Sequence, residues 1–220
     1  MDYMPIFTRL IDKTCLVVGG GEIALRKVEL LLDAGCNLRV VARSAIPELT
    51  RYAQDERIEL VLADYESRHM EGVDLIVAAT DVREVNQVIT NDANERRLFI
   101  NVVDDSKRST FIVPGIIDRG PLAIAIGTSG SAPVLARMLR GKIEALIPRS
   151  YGDLARLARK FRQQVKAAIP AGPQRRAFWE NIFEGDVAEH IFAGQVDAAE
   201  QQLQQQVLNF DKSTTGMCTV

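Results

Sequence analysis

Apolar and polar residues in the first half of this 220-residue chain fall into short apolar runs separated by longer stretches of helical spacing. Cys15-Leu16-Val17-Val18, Leu38-Arg39-Val40-Val41-Ala42, Ile58-Glu59-Leu60-Val61-Leu62, Leu75-Ile76-Val77-Ala78-Ala79 and Leu98-Phe99-Ile100-Asn101-Val102-Val103 all have strand length. The fourth is apolar throughout, as a strand covered on both faces requires. Between these runs, residues 26–34, 47–54 and 84–95 read as helices. The first is closed by Gly35, the second is opened by Pro47, and Asp81 is the expected cap of the third. Residues 5–10 read as a short strand or lead-in. Strands alternating with helices predict right-handed βαβ units, and so an α/β fold with a Rossmann-type doubly wound parallel sheet over residues 1–113.

From Thr110 the pattern changes. Two apolar segments around Asp118-Arg119-Gly120-Pro121 predict a β-hairpin, followed by a small polar loop from Thr128 to Pro133 and a helix over 134–146. An isolated hairpin is marginal in water, and closed two-fold dimers are the commonest oligomers, so residues 114–147 are expected to form a dimerisation region. Residues 148–210 read as a small helical domain. Leu154, Leu157, Ala158, Phe161 and Val165 keep helical spacing, with Arg156, Arg159, Lys160, Arg162 and Lys166 between them. That basic stripe is either a solvated face or a rim that attracts a polyanionic substrate. Phe178, Trp179, Ile182 and Phe183 predict a small core. Residues 201–205 are Gln-rich and polar, and 211–220 read as a linker.

Composition narrows the class. A hydrophobic fraction of 47% and a charged fraction of 25% are ordinary for a globular protein, and a net charge of -2 supplies no field for nucleic acid. No apolar run approaches the ~20 residues that span a bilayer, so no membrane partner is expected. Met1-Asp2-Tyr3-Met4-Pro5 carries no secretory pattern. Three widely spaced cysteines, Cys15, Cys36 and Cys218, fit a reducing compartment, and a cytoplasmic location is expected. Cys15 reads as a small core residue.

Candidate chemistry starts at Gly19-Gly20-Gly21-Glu22-Ile23-Ala24, where a strand turns into a helix. This is the context that the dinucleotide fingerprint needs. Gly19 suits the tight turn, Gly21 lets backbone approach a pyrophosphate, and Ala24 packs helix against strand. Helix-start N–H groups then face the phosphates. An acid about 20 residues further on usually holds the ribose 2′-hydroxyl. Here Ala42-Arg43-Ser44 stands in its place. Arg43 and Ser44 can grip a 2′-phosphate, which favours NADP, or contact the adenosine through backbone groups. Arg43 can also be a solvated strand-end residue.

Asn101-Val102-Val103-Asp104-Asp105 lies at the carboxyl end of a strand, where open α/β sheets bind ligands. A carboxylate there can serve as general base or as an oxygen ligand to a cation, and it can equally be a turn or cap residue. His69 and His190 stand far apart and read as structural or exposed, and no Cys/His cluster has zinc spacing.

Five motifs in register carry a family resemblance: Val17-Val18-Gly19-Gly20-Gly21 with Ala24 and Arg26-Lys27; Ala78-Ala79-Thr80-Asp81; Asn101-Val102-Val103-Asp104; Phe111-Ile112-Val113-Pro114; and Ser131-Ala132-Pro133-Val134-Leu135-Ala136-Arg137. Over about residues 1–210 the chain resembles the precorrin-2 dehydrogenase/sirohydrochlorin ferrochelatase module of siroheme synthase. The resemblance implies NAD-dependent oxidation of precorrin-2 to sirohydrochlorin, then insertion of substrate Fe²⁺ to give siroheme. It implies a homodimer interlocked through the hairpin region, and a helical C-terminal part that covers the tetrapyrrole. Asp104 becomes the catalytic residue, general base and transient contact of the metal during chelation. Glu22, Ile23, Arg43, Ser44, Thr80, Asp81 and Val102 fall at nucleotide positions. Asn101, Arg119, Thr128, Ser129 and Arg137 are candidates for substrate contact, with structural pairing the alternative for Arg119 and Arg137. Thr128 stands where close relatives carry Ser. The resemblance outweighs the missing ribose acid in favour of NAD. It also implies that Met217-Cys218-Thr219-Val220 begins a uroporphyrinogen-III methyltransferase domain of a longer fusion. Retention of only one activity, or a non-catalytic NAD-sensing module, are the competing readings.

Overall fold

The computed structural model describes residues 2–215. It divides into two units, Met1–Val113 with Ser129–Ser131, and Pro114–Thr128 with the residues from Ala132 on.

The first unit is a parallel α/β sheet. Its strands are β1 (Thr14–Val18), β2 (Asn37–Ala42), β3 (Glu59–Leu62), β4 (Leu75–Ala78) and β5 (Phe99–Val102), in the order β3-β2-β1-β4-β5. Helices α1 (Glu22–Asp33), α2 (Pro47–Gln54) and α3 (Arg83–Glu95) connect them. The register is direct: Val17 pairs with Val40 of β2 and Val77 of β4, and Val77 pairs with Asn101 of β5. Side chains alternate between the two faces, as the pleat demands. Cys15 and Val17 enter one core with Ala24, Val28 and Leu31 of α1 and Leu49 of α2. Leu16 and Val18 enter the other with Ile76, Ile89, Ala93 and Ile100. Burying a Val, Leu or Ile of this kind contributes about 1.5–3 kcal/mol, so both faces are strongly specified.

Local departures from the sequence reading have simple causes. Residues 5–10 belong to no strand. Helix α1 starts at Glu22, earlier than the expected 26, because Gly21 itself is the N-cap. Asp81 does not cap α3: Val82 is the N-cap, and Thr80 Oγ1 accepts from the Val82 N–H at 3.3 Å instead. Gly35 does follow α1 with φ 77°, the left-handed geometry that ends helices. His69 caps a short 3₁₀ turn (Ser67–Met70), its Nδ1 accepting the Glu66 N–H at 3.0 Å.

In the second unit β6 (Gly115–Arg119) and β7 (Leu122–Ile126) form the expected antiparallel hairpin. Its two-residue loop opens with Gly120 at φ 74°, whose N–H donates to Asp118 Oδ1 at 2.7 Å. Helices α4 (Pro133–Leu146), α5 (Ser150–Ala168), α6 (Pro173–Glu184), α7 (Asp186–Phe192) and α8 (Val196–Thr215) follow. Leu154, Leu157, Phe161 and Val165 of α5 bury against Ile182, Val187, Ile191, Ala199 and Leu203. Phe178 and Trp179 pack on that core, while Phe183 stacks on Trp179 and stays exposed. The Gln-rich segment, which carried no strong periodic signal, lies inside α8. The basic stripe of α5 is exposed, with Arg156 paired to Asp153 and Lys160 to Glu200. Cys15 and Cys36 are buried free thiols, and residues 211–220, including Cys218 and the stretch expected to begin a further domain, lie outside the described side chains.

Candidate functional site

The carboxyl ends of β1, β2, β4 and β5 line a cavity of about 1240 Å³ in the first unit. Its floor is the β1–α1 turn. Gly19 has φ 136°, and a Cβ there would meet the Ala79 carbonyl oxygen at 2.3 Å. A Cβ on Gly20 would come within 1.9 Å of the Ser44 carbonyl oxygen. The turn is therefore clamped between the ends of β4 and β2, and only glycine fits either position. Sequence reasoning assigned roles to Gly19 and Gly21 and missed Gly20, whose constraint comes from a residue 24 positions away.

Gly21 is the opposite case. A Cβ there would meet nothing within 4 Å, and Gly21 lines the cavity. The space a side chain would fill is open beside the first turn of α1, whose N–H groups receive no side-chain cap. Uncapped N–H groups at a helix start, facing an open cradle, fit an anionic phosphate. The residues present thus fit a dinucleotide. Glu22 and Ile23 lie on this turn, and both line the cavity.

At the β2 end, Arg43 and Ser44 line the same cavity, held near the glycine turn by the Ile46 N–H donating to the Gly20 carbonyl at 2.9 Å. Arg43 is not a lone solvated cation: its Nε donates to Asp64 Oδ1 just beyond β3. At the β4 end, Thr80 and Asp81 also line the cavity. The Thr80 hydroxyl donates to Asn86 Oδ1 at 2.8 Å, and Asn86 Nδ2 returns a bond to the Thr80 carbonyl at 3.0 Å. Both groups of Asn86 are thereby satisfied in a buried position, which fixes the β4–α3 turn.

Val102 ends β5, and Asp104 follows in a tight turn closed by the Asp105 N–H on the Val102 carbonyl at 3.1 Å. Asp104 has φ 58°, a left-handed backbone that non-glycine residues seldom adopt. Its side chain is exposed, lines the cavity and makes no hydrogen bond or ion pair among the described residues. Asp105 differs. Partial burial pushes its carboxyl up, but the Arg108 N–H, the Arg108 guanidinium and the Lys107 N–H outweigh that and hold it below the usual carboxylate range. Asp105 is thus locked as a structural anion, and Asp104 carries an uncommitted carboxylate. Lys27 of α1 completes the electrostatics and was missed as a site residue. Its partial burial lowers the ammonium pKa, the Asp104 charge opposes that shift, and Arg26 adds to it. This influence acts through space, without an ion pair, between residues far apart in sequence.

The substrate candidates are placed differently. Asn101 is buried, at 8% exposure, and its Nδ2 donates to the Phe111 carbonyl at 3.1 Å, clipping the chain after β5 to the sheet. Arg119 makes the structural pairing that its sequence position leaves open. Its guanidinium donates to the carbonyls of Ile147 (2.9 Å), Asp118 (2.9 Å) and Glu144 (3.4 Å), with only 10% of the side chain exposed. Thr128 Oγ1 accepts the Ala132 N–H at 3.3 Å, Ser129 sits at φ 52°, and Arg137 is exposed on α4. Among the described residues no group of three His, Cys, Asp or Glu side chains is arranged to hold a metal, and no helix is long and apolar enough to cross a membrane.

Residues 6–115, half of the chain, match the family described as putative NAD(P)-binding. The chain belongs to that family. Residues 119–146 match the sirohaem biosynthesis protein central family, and 150–207 match the sirohaem synthase dimerisation region. That last match falls on α5–α8, not on the hairpin segment 114–147 where dimerisation is expected. The chain is 47% identical over 205 residues to a siroheme synthase of Methylobacillus flagellatus, covering 93% of this chain and 44% of that protein. It is 48% identical over 207 residues to one of Pseudomonas entomophila, covering 94% and 45%. The resemblance to siroheme synthase is therefore real and extends over nearly the whole chain, which spans less than half the length of these relatives. The fold is also that of a solved structure described as SirC, precorrin-2 dehydrogenase, at TM-score 0.74 and 21% identity, covering 92% of this chain and all of that one.

Proposed function

We propose that this chain oxidises precorrin-2 to sirohydrochlorin with NAD, and then promotes insertion of substrate Fe²⁺ to give siroheme. The observation that carries the reading is Asp104, an uncommitted carboxylate on a left-handed turn, in the same cavity as an uncapped helix start and a glycine cradle. NAD, when bound, supplies the hydride acceptor. The N–H groups of Gly21, Glu22 and Ile23 would hold its pyrophosphate and Arg43 and Ser44 its adenosine end, with Thr80, Asp81 and Val102 completing the cleft. Forming a new ring double bond removes a hydride and a proton, and Asp104 takes the proton. In chelation two pyrrole protons must leave as the metal enters, and the same carboxylate accepts them one after the other, passes each to solvent and touches the ion in passing. Thr128, Ser129 and Arg137 are proposed contacts of the tetrapyrrole, Arg137 through its planar fork toward a substrate carboxylate. Asn101 and Arg119 are proposed as secondary contacts, since part of their donor capacity already serves the fold.

A homodimer is part of the proposal. Helix α4 buries no residue, and Val134, Leu135, Met138 and Leu139 expose 66, 48, 55 and 38% of their surface along one side. An apolar face of this kind is costly in water and suits a second copy of the chain. The match of α5–α8 to a dimerisation-region family supports extending the proposed interface to those helices.

The test is anaerobic turnover of precorrin-2 with NAD, then with NADP, and separately the absorbance change on adding Fe²⁺ to supplied sirohydrochlorin, for wild type and Asp104→Ala. Loss of both steps in the variant supports one shared carboxylate. Loss of oxidation alone confines Asp104 to the dehydrogenase. Wild type that binds NAD and leaves precorrin-2 untouched is a sensing module, and the enzyme reading fails.

A further inference from the structure

The ribose acid missing after β2 has a structural substitute. Strands β2 and β3 run parallel with Ala42 beside Leu62, and the Ala63 N–H donates to the Ala42 carbonyl at 3.0 Å, extending the ladder by one bond. Asp64, one residue past the register neighbour of Arg43, Ala63, meets the Arg43 side chain at the carboxyl edge. Arg43 Nε donates to Asp64 Oδ1, and Asp64 Oδ2 has no partner among the described residues. Both side chains stay about 70% exposed, at 73% and 68%, and both line the cavity with Ser44. The pair thus presents an open carboxylate oxygen at the place where the fingerprint usually supplies one from the second strand.

We infer that Asp64 selects NAD over NADP in this chain. The inference rests on the nucleotide reading above and names the residue that decides its cofactor. The free Oδ2 can accept a bond from a ribose 2′-hydroxyl. A 2′-phosphate in the same place meets a like charge. Arg43, which alone would attract that phosphate, is neutralised by the pairing. The sequence signal for NADP, Arg43-Ser44 after β2, is thereby reversed by a residue 21 positions further along.

The experiment titrates the purified chain with NADH and with NADPH, following nucleotide fluorescence, so that affinity is read without turnover. Wild type is expected to bind NADH more tightly. Asp64→Asn keeps the size and the acceptor oxygen and removes the charge. It should shift the NADH/NADPH affinity ratio toward NADPH by about tenfold, chiefly through tighter NADPH binding. Adding Arg43→Ala to Asp64→Asn should abolish that gain, because the freed guanidinium is its source. An unchanged ratio in Asp64→Asn, or a wild type that prefers NADPH, overturns the inference and leaves nucleotide binding intact. Absence of binding of either nucleotide to a folded wild type overturns the nucleotide reading as well.

Discussion

Gly20 and Ser44 meet backbone to backbone: a Cβ on Gly20 would lie 1.9 Å from the Ser44 carbonyl oxygen and 2.9 Å from the Ala42 Cβ. The contact ties the glycine turn to the β2 end, the two pieces of chain that would hold opposite ends of a dinucleotide. Neither atom belongs to a flexible side chain, so the clash cannot be relieved by a rotamer change. Gly20→Ala is expected to cost about 2–3 kcal/mol, as overpacking does. Gly21→Ala meets open space and should leave the melting temperature within about 1–2 °C, the shift of a small fraction of a kcal/mol. Yet it should weaken NADH binding by filling the cradle. Differential scanning calorimetry and fluorescence titration on the two variants separate these effects; equal melting temperatures would refute the clamp.

Asp104 combines an exposed carboxylate with a φ of 58°. Left-handed backbone costs an ordinary L-residue about 1 kcal/mol and costs glycine nothing, with Asp among the more tolerant side chains. The stability order should therefore be Asp104→Gly at or above wild type, with Asp104→Ala below both. Turnover of precorrin-2 should fall by about 10²–10⁴ in both variants, the range of a lost general base. A variant more stable and less active than wild type would show that the residue is kept for chemistry. If Asp104→Gly is instead strongly destabilised, the carboxylate has a structural task that its contacts do not reveal.

Much of the first unit was legible because periodicity and turn chemistry act locally there. The all-apolar run at Leu75–Ala78 and the glycine turn after β1 each announce their own element. The C-terminal half was less legible. Helix α8 carries Leu203 and Val207 among glutamines, and only burial against α5 and α7 makes that sparse pattern sufficient. Asp81 looked like a helix cap because caps precede helices, but the Thr80–Asn86 pair fixes the turn first. The candidate site divides in the same way. The residues of the glycine turn and of 101–104 stand out along the chain. Gly20, Lys27 and Asp64 owe their positions to contacts made across strands or between helix and sheet, and no local pattern marks them. Asn101 and Arg119 show the converse: residue types suited to substrate that also make bonds within the fold.

Tyr65 gives the first unit an alkaline limit. Burial raises its phenol pKa above the ordinary 10.0. The hydrogen bond to Asp92 Oδ2 at 2.7 Å and the Asp92 charge raise it further, against opposing contributions from Arg96 and Ser67. A group whose pKa is raised by folding contributes stability that is complete below its unfolded value and is lost as pH rises beyond it. Unfolding free energy should therefore decline above about pH 10, as the unfolded phenol ionises. Tyr65→Phe should cost about 1 kcal/mol at pH 7, the net value of one hydrogen bond, and should flatten that alkaline decline. Urea titrations at pH 7, 9.5 and 11 read both quantities; parallel pH curves for wild type and variant would exclude Tyr65 as the cause.

Asp74 sets an acid limit by the opposite sign. The Thr14 N–H at 3.0 Å and the Lys13 ammonium at 2.9 Å hold its carboxyl below the ordinary 3.8, against a smaller effect of burial. Its contribution is present above that value and disappears as pH falls through the lowered one. Asp74→Asn should lower the melting temperature at pH 7 and converge on wild type at low pH. Added salt should narrow the gap at pH 7, because the Lys13 pair is exposed. A gap that persists at pH 2 would assign the loss to packing.

Arg119 and Gly152 carry the last prediction, within the second unit. A Cβ on Gly152 would stand 2.1 Å from the Arg119 carbonyl oxygen, and the Arg119 side chain closes the end of α4 through Ile147 and Glu144. One residue thus braces the hairpin against the start of α5 with its backbone and against the end of α4 with its side chain. Helix ends leave carbonyls without partners, and an Arg there also complements the negative end of the dipole. Arg119→Ala should cost about 1–2 kcal/mol, since it strands partly buried acceptors, and Arg119→Lys should recover only part because an ammonium cannot reach three divergent carbonyls. Gly152→Ala should destabilise to a similar extent by forcing the two backbones apart. None of the three should alter NADH affinity at a temperature where the chain is folded, since the nucleotide cavity belongs to the first unit. A change in tetrapyrrole affinity by Arg119→Lys at unchanged melting temperature would show that Arg119 also acts at the substrate site.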